Sequence, residues 1–315
     1  MHPSASVIIF TVVSGAGYGM LFLLGYGAAI RLLPPDRLFA LAAFGLSLAF
    51  ITIGLLSSLF HLGHPERAWR ATSQWRSSWL SREGLLAILT YGATAPFAVA
   101  WALFGVNTGL FALCGSIAAL LAAATVFATG RIYASLKPIR QWNSPWVTPS
   151  YMVIALMSGA LWINALLRML GIPRPTIAAI AAAAALVGMA LKIGYWRFVD
   201  TGKARSTAET ATGLGGIGKV RLLEAPHTQE NFLLREMGYR VARKHAWRLR
   251  RISLSFGFFV PFVLAGLTIS VSGRLAAVVA LAAAVSAMVG VLIERWLFFA
   301  EARHTVTLYY GAERT

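Results

Sequence analysis

Two short clusters carry the side chains able to do chemistry. His61-Leu62-Gly63-His64-Pro65-Glu66-Arg67 follows one long apolar run, and Trp79-Leu80-Ser81-Arg82-Glu83 precedes the next. Titratable groups therefore stand at both ends of one loop, at the edge of apolar segments. Histidine titrates near neutrality and can give or take a proton beside a reacting oxygen. A carboxylate at the same boundary can relay protons onward, and ionisable groups near membrane depth are functional candidates by default. This chemistry suits the interconversion of quinone and quinol, which moves two electrons and two protons. It is equally compatible with an ion path, or with a helix-capping loop of solvated charges.

The elements that must position these groups are apolar helices. The chain is 58% hydrophobic, and 7–30, 38–60, 84–104, 109–129, 252–273 and 275–293 each run without a charge. A span needs about 20 such residues. Two shorter runs, 151–167 and 176–191, reach that length if Arg168 and Lys192 snorkel to the interface. The expectation is an all-α integral membrane protein with eight transmembrane helices. It forms one domain over 1–315, with spans at about 7–30, 38–60, 84–104, 109–129, 151–170, 174–194, 252–273 and 275–296. The first run lacks a basic leader and is too long for a signal peptide, so it reads as a retained span.

Charge distribution gives the orientation. On the side that holds the N-terminus, called side A, lie all Lys and Arg except Arg31, Arg37, Arg168, Arg174 and Arg274. The positive-inside rule then puts both termini in the cytoplasm. A net charge of +17 would suggest nucleic acid in a soluble protein, but this segregation points to a membrane and no nucleic acid. Eight tryptophans (Trp69, Trp75, Trp79, Trp142, Trp146, Trp196, Trp247 and Trp296) also fall at or beside side A. An interfacial belt would explain them, but a belt on one side only suggests extra protein surface there. The long basic loop 195–251, with a helix expected from Gln229, suits either anionic lipid or a soluble partner.

Several motifs carry less. Gly15, Gly17 and Gly19 mimic a dinucleotide loop but lie inside an apolar span with no strand before them, so close helix packing is expected. The single cysteine, Cys114, reads as a small packing residue and rules out an iron–sulfur cluster held by this chain alone. None of the histidines lies deep in a span, so no haem and no other metal site is expected. Charge-free spans also argue against a transporter, which would bury charges near midplane. A redox-inactive structural anchor stays open.

The residues Ser57-Ser58-Leu59-Phe60-His61-Leu62-Gly63-x-Pro65-x-Arg67-Ala68 and Leu80-Ser81-Arg82-Glu83 resemble the membrane-anchor subunits of dimethyl sulfoxide reductase-type molybdoenzymes, within the polysulfide-reductase-like anchor superfamily. The eight-span layout matches over essentially the whole chain, and 215–227 and 304–311 are similar too. The resemblance implies a haem-free subunit of the cell inner membrane that binds quinone or quinol, either ubiquinone or menaquinone. Its partners would be a four-cluster iron–sulfur subunit and a molybdopterin catalytic subunit. By motif position, His61 is the quinone-reactive histidine, Gly63 lets the backbone approach, and Arg67 and Glu83 complete the site, with His64 at a variable position. The docking surface would include Trp69, Arg70, Trp75, Arg76, Arg240, Arg243 and Lys244. The opening Met1-His2-Pro3 and the basic loops look more like the sulfite-oxidising branch, with a menaquinol-oxidising dimethyl sulfoxide reductase anchor as the alternative.

Overall fold

Apolar runs that cannot leave backbone groups unpaired in lipid must close their own hydrogen bonds, and helices result. The computed structural model describes residues 4–60, 62–202, 206–224, 241–310 and 312, without the side chains of 241–244. Among them, eight helices are long and apolar enough to cross a membrane, and no strand is present beyond an isolated bridge between Ile139 and His304. They are α1 (Ala5–Ala29), α2 (Arg37–Leu59), α3 (Trp79–Phe104), α4 (Gly109–Ala134), α5 (Val147–Met169), α6 (Pro175–Thr201), α7 (spanning over His245–Ser270) and α8 (Gly273–Ala300).

Local chemistry sets several ends. The Asp36 carboxylate accepts from the Phe39 amide at 2.7 Å and starts α2. Gly105 closes α3 in a left-handed turn at φ 72°, where its amide reaches back to Ala100 and Trp101. Pro96 is accommodated inside α3, as membrane helices allow.

α1 contacts α2 and α4, and α3 bridges α2 and α4, so the first four helices form one ring. Helices α5 to α8 form a second ring through α5–α6, α6–α7, α7–α8 and α8–α5. The rings meet along α1–α5 and α4–α5, which makes α1 and α5 the most enclosed spans. Small residues allow that seam. A Cβ on Gly19 would lie 1.9 Å from the Ala155 carbonyl oxygen, and one on Gly159 would lie 2.2 Å from the Gly19 carbonyl carbon. The glycines of α1 therefore serve helix packing, as the sequence suggests. A π-helical turn, Phe10–Ser14, interrupts α1 beside the same seam, and a second one, Ser255–Phe259, interrupts α7. Such turns are frequent at functional sites.

The structure corrects four expectations. Helix α3 begins at Trp79, so Glu83 lies inside a span and not before it. Arg168 and Lys192 do not snorkel: both are buried, Arg168 donating to the Val271 carbonyl at 3.3 Å and Lys192 ion-paired with Glu294. The spans are consequently not free of charge at their ends. Helix α6 also continues to Thr201, and α7 is helical from Val241, which shortens the expected loop from both sides. Trp142 and Trp196 are core side chains and not members of an interfacial belt.

Candidate functional site

The start of α3 organises the side-A rim. Ser78 caps the helix by accepting from the Ser81 amide at 3.4 Å. The Ser81 hydroxyl then donates to the Ala71 carbonyl, and Arg82 donates to the carbonyls of Trp75 and Arg76 at 2.9 and 2.6 Å. These bonds pin the 3₁₀ helix Pro65–Gln74 over the end of the bundle, and the Arg82 guanidinium stacks 4.4 Å above the Trp79 ring. One residue further, Glu83 turns inward. It is buried and accepts from the Thr129 hydroxyl of α4. Three consecutive polar residues thus divide the work: two fasten the loop and the third points into the protein.

Of the residues singled out in the sequence, His61 and Arg240 lie outside the described residues, as do the side chains of Arg243 and Lys244. Gly63, His64 and Arg67 are exposed on the loop, and space above Gly63 is open. His64 Nδ1 lies 3.0 Å from Glu66, whose carboxylate also faces Arg67 at 3.7 Å. Glu83 instead joins the bundle interior. Trp69 and Trp75 are exposed, each with its neighbouring arginine over the ring, Arg70 at 5.6 Å and Arg76 at 5.3 Å. Trp247 with Arg251 repeats the pattern at 5.5 Å. Side A therefore displays several exposed Trp–Arg pairs, the residue types that dominate binding energy at protein interfaces.

A second group of charges escaped the sequence reading. Lys192 of α6 and Glu294 of α8 form a fully buried ion pair, and Arg295 binds the other Glu294 oxygen at 3.0 Å. Arg295 also sits 3.7 Å from the centre of the Tyr151 ring. Lys192 lies 4.0 Å above Tyr195 and 5.1 Å from Trp196, so α6 presents its positions 192, 195 and 196 on one face. The available signal was a lone cation ending one apolar run and a lone anion ending another on the same side of the membrane. A buried pair of that kind is stabilising only when its charges meet.

Between α1, α4, α5 and α8 lies a narrow polar crevice, lined by Thr11, Ser14, Tyr18, Thr129, Tyr151 and Arg295 among others. Its free volume of about 10 Å³ suits one water. The hydroxyls of Tyr18 and Tyr151 and the Nε of Arg295 have no protein partner there. An apolar cavity of about 150 Å³ adjoins it and shares Tyr18, Val126 and Ala155. The two together make a polar recess behind an apolar one.

Outside the spans, the C-terminal segment folds back on the 135–146 turn. The Trp142 indole donates to the Phe298 carbonyl at 2.9 Å, and the Thr305 amide to Pro138 at 3.1 Å. Arg250 joins Glu301 and Asp200 at 2.9 and 2.7 Å. Burial pushes the Glu301 carboxyl above the ordinary glutamate range, against the pull of Arg250. Burial also holds the His304 imidazole below its ordinary value.

Comparison with known proteins agrees with this architecture. Residues 1–311 match the family described as DMSO reductase anchor subunit (DmsC). A sulfite dehydrogenase subunit from Allochromatium vinosum is 32% identical over 98% of this chain and 99% of its own length. The chain belongs to the DMSO reductase anchor subunit (DmsC) family and is a multi-pass membrane anchor of an oxidoreductase complex.

Proposed function

We propose that this chain is the quinone-reactive anchor of a molybdopterin oxidoreductase complex, passing electrons between a four-cluster iron–sulfur subunit and the quinone pool. The observation that carries this reading is Glu83, a carboxyl buried one turn inside α3 and held by Thr129, directly beneath the loop that joins α2 to α3. Quinone reduction adds two electrons and two protons. A lipid-soluble ring at the membrane rim meets His61 and Glu83 where an apolar span gives way to water. His61 then exchanges the proton at a ring oxygen, and Glu83 carries it onward. No haem and no metal in this chain takes part. The iron–sulfur partner docks on the cytoplasmic side A of the inner membrane through Trp69, Arg70, Trp75 and Arg76, with both termini on that side. Sulfite is the favoured substrate, since the relative aligned over nearly its full length is named for sulfite dehydrogenation.

The test uses the assembled complex in membranes. His61→Ala should lose most quinone-linked turnover, about a hundredfold, while activity with an artificial electron carrier persists. Glu83→Gln should slow quinone-linked turnover without preventing assembly. Full quinone-linked activity in His61→Ala would sink the assignment. Offering sulfite and dimethyl sulfoxide in turn distinguishes the sulfite-oxidising reading from the menaquinol-oxidising one.

A further inference from the structure

We propose that a buried route carries protons from Glu83, by way of Tyr151, Glu294 and Lys192, to the side-A surface at Glu301 and Asp200. The proposal rests on the quinone reading above and assigns it further residues.

The route passes through a series of polar groups, with the Trp196 ring spanning the step between Lys192 and Arg250. Glu83 is bonded to Thr129, and Thr129 lines the crevice together with Tyr18, Tyr151 and Arg295. That crevice fits one water, which would find partners in the free hydroxyls of Tyr18 and Tyr151 and in the Arg295 Nε. Arg295 orients the chain without carrying the proton. Next to it stand Glu294, at 3.0 Å from the guanidinium, and Lys192, in contact with Glu294. Glu301 stands just past the end of α8, at the bundle's side-A end. Arg250 spans the last stretch, 2.9 Å from Glu301 and 2.7 Å from Asp200, whose carboxyl is about half exposed. Trp196 lies between the two cations, 5.1 Å from Lys192 and 5.5 Å from the Arg250 guanidinium. Tyr195, under Lys192, and Tyr133, stacked on Tyr151, also face this stretch.

Stability alone does not account for these charges. Apolar residues of similar volume usually replace a buried ion pair at no loss, and in lipid the case for keeping one is weaker still. Charge balance supplies a reason. Lys192, Glu294 and Arg295 together carry one positive charge, and an ionised Glu83 cancels it. A proton leaving Glu83 is thus electrostatically tolerated, and one arriving from the Glu294 end restores it. In the direction of quinone reduction, the ring takes two electrons from the partner's iron–sulfur clusters and two protons. Each proton drawn through Glu83 is replaced from side-A water through the route.

The experiment compares the wild-type complex with a double variant, Lys192→Gln and Glu294→Gln. The pair removes one charge of each sign, keeps hydrogen-bonding side chains and leaves the net charge unchanged. Quinone-linked turnover should fall about tenfold or more, while turnover with an artificial carrier is retained. The slowed reaction should show a larger solvent deuterium isotope effect and should recover when a small permeant acid such as acetate is added. Neither response follows from a purely structural role. A second double variant at the mouth, Glu301→Gln with Asp200→Asn, leaves the buried ion pair intact and should show a smaller loss with the same isotope signature. Full turnover in both double variants, or a loss with neither rescue nor isotope response, overturns the route. His61→Ala run in parallel separates the two proposals. If it loses quinone-linked turnover while both double variants keep theirs, only the route fails. If it keeps full activity, the quinone reading itself fails.

Discussion

Thr129 shows how much can hang on one hydroxyl. It closes α4 on the Glu83 carboxylate and borders the crevice, so it touches both halves of the polar interior. The Thr125 carbonyl of its own helix, 3.0 Å from the same hydroxyl, competes with Glu83 for its single hydrogen. Thr129→Val keeps the shape but leaves a buried carboxyl without its donor. The expected cost is about 1–3 kcal/mol of stability, with slowed quinone-linked turnover as well. Thr129→Ser restores the donor and should recover both. Thermal unfolding and steady-state turnover of the two variants check this, and equal behaviour of Val and Ser would show that the hydroxyl is idle. Ser81 and Arg82, the two residues before Glu83, have mechanical duties, because each bonds loop carbonyls.

Elements matter through how closely they approach. The α1–α5 seam brings backbone against backbone at Gly19 and Gly159, where any side chain collides with main-chain atoms that cannot step aside. Gly19→Val should therefore prevent assembly of a stable anchor, well beyond the ~1–3 kcal/mol of ordinary overpacking. Gly45→Ala, at a position with open space, should be silent. Detergent-solubilised yield and melting temperature distinguish the two. The C-terminal segment makes a second, pH-sensitive contact. His304 is partly buried and its Nδ1 accepts from the Val306 amide at 3.0 Å. Its folded pKa lies below the unfolded value near 6.5, so the unfolded tail binds the proton more readily. Tail docking is then fully favourable above about pH 6.5 and weakens as pH falls below it. Limited proteolysis of the tail should accelerate at pH 5 relative to pH 8, and His304→Gln should abolish that difference.

For the whole molecule, asymmetry between the two membrane faces is the governing feature. Side B is made of tight turns, such as those after Gly105 and before Gly273, while side A carries the loop over α3, the folded C-terminal segment and the exposed Trp–Arg pairs. Among the described residues, side A offers a partner the larger surface. Replacing Trp69 and Trp75 by alanine should weaken binding of the iron–sulfur subunit about tenfold or more, as truncated interface tryptophans do. Copurification with the partner measures this. A reporter fused to the C-terminus should then report the cytoplasm. A periplasmic signal would reverse the docking face.

Membrane residence was legible from the residues alone, because about 20 consecutive apolar side chains have no stable place in water and a helix is their only solution in lipid. The glycine run of α1 read correctly for the same kind of reason: small residues without a strand before them can only serve packing. The motif at 57–67 and 80–83 was equally local, so the family followed from it. What the sequence did not disclose depends on which helices are neighbours. Lys192 was expected to snorkel, while Glu294 and Arg295 end a different apolar run that gives no sign of a shared partner. Only when α6 and α8 share one ring do Lys192 and Glu294 meet, and only at the seam of two rings do Tyr18, Tyr151 and Arg295 enclose a crevice beside Glu83. A buried charge is decided by its partner across space, and helix pairing, unlike apolar periodicity, is not written in any one segment.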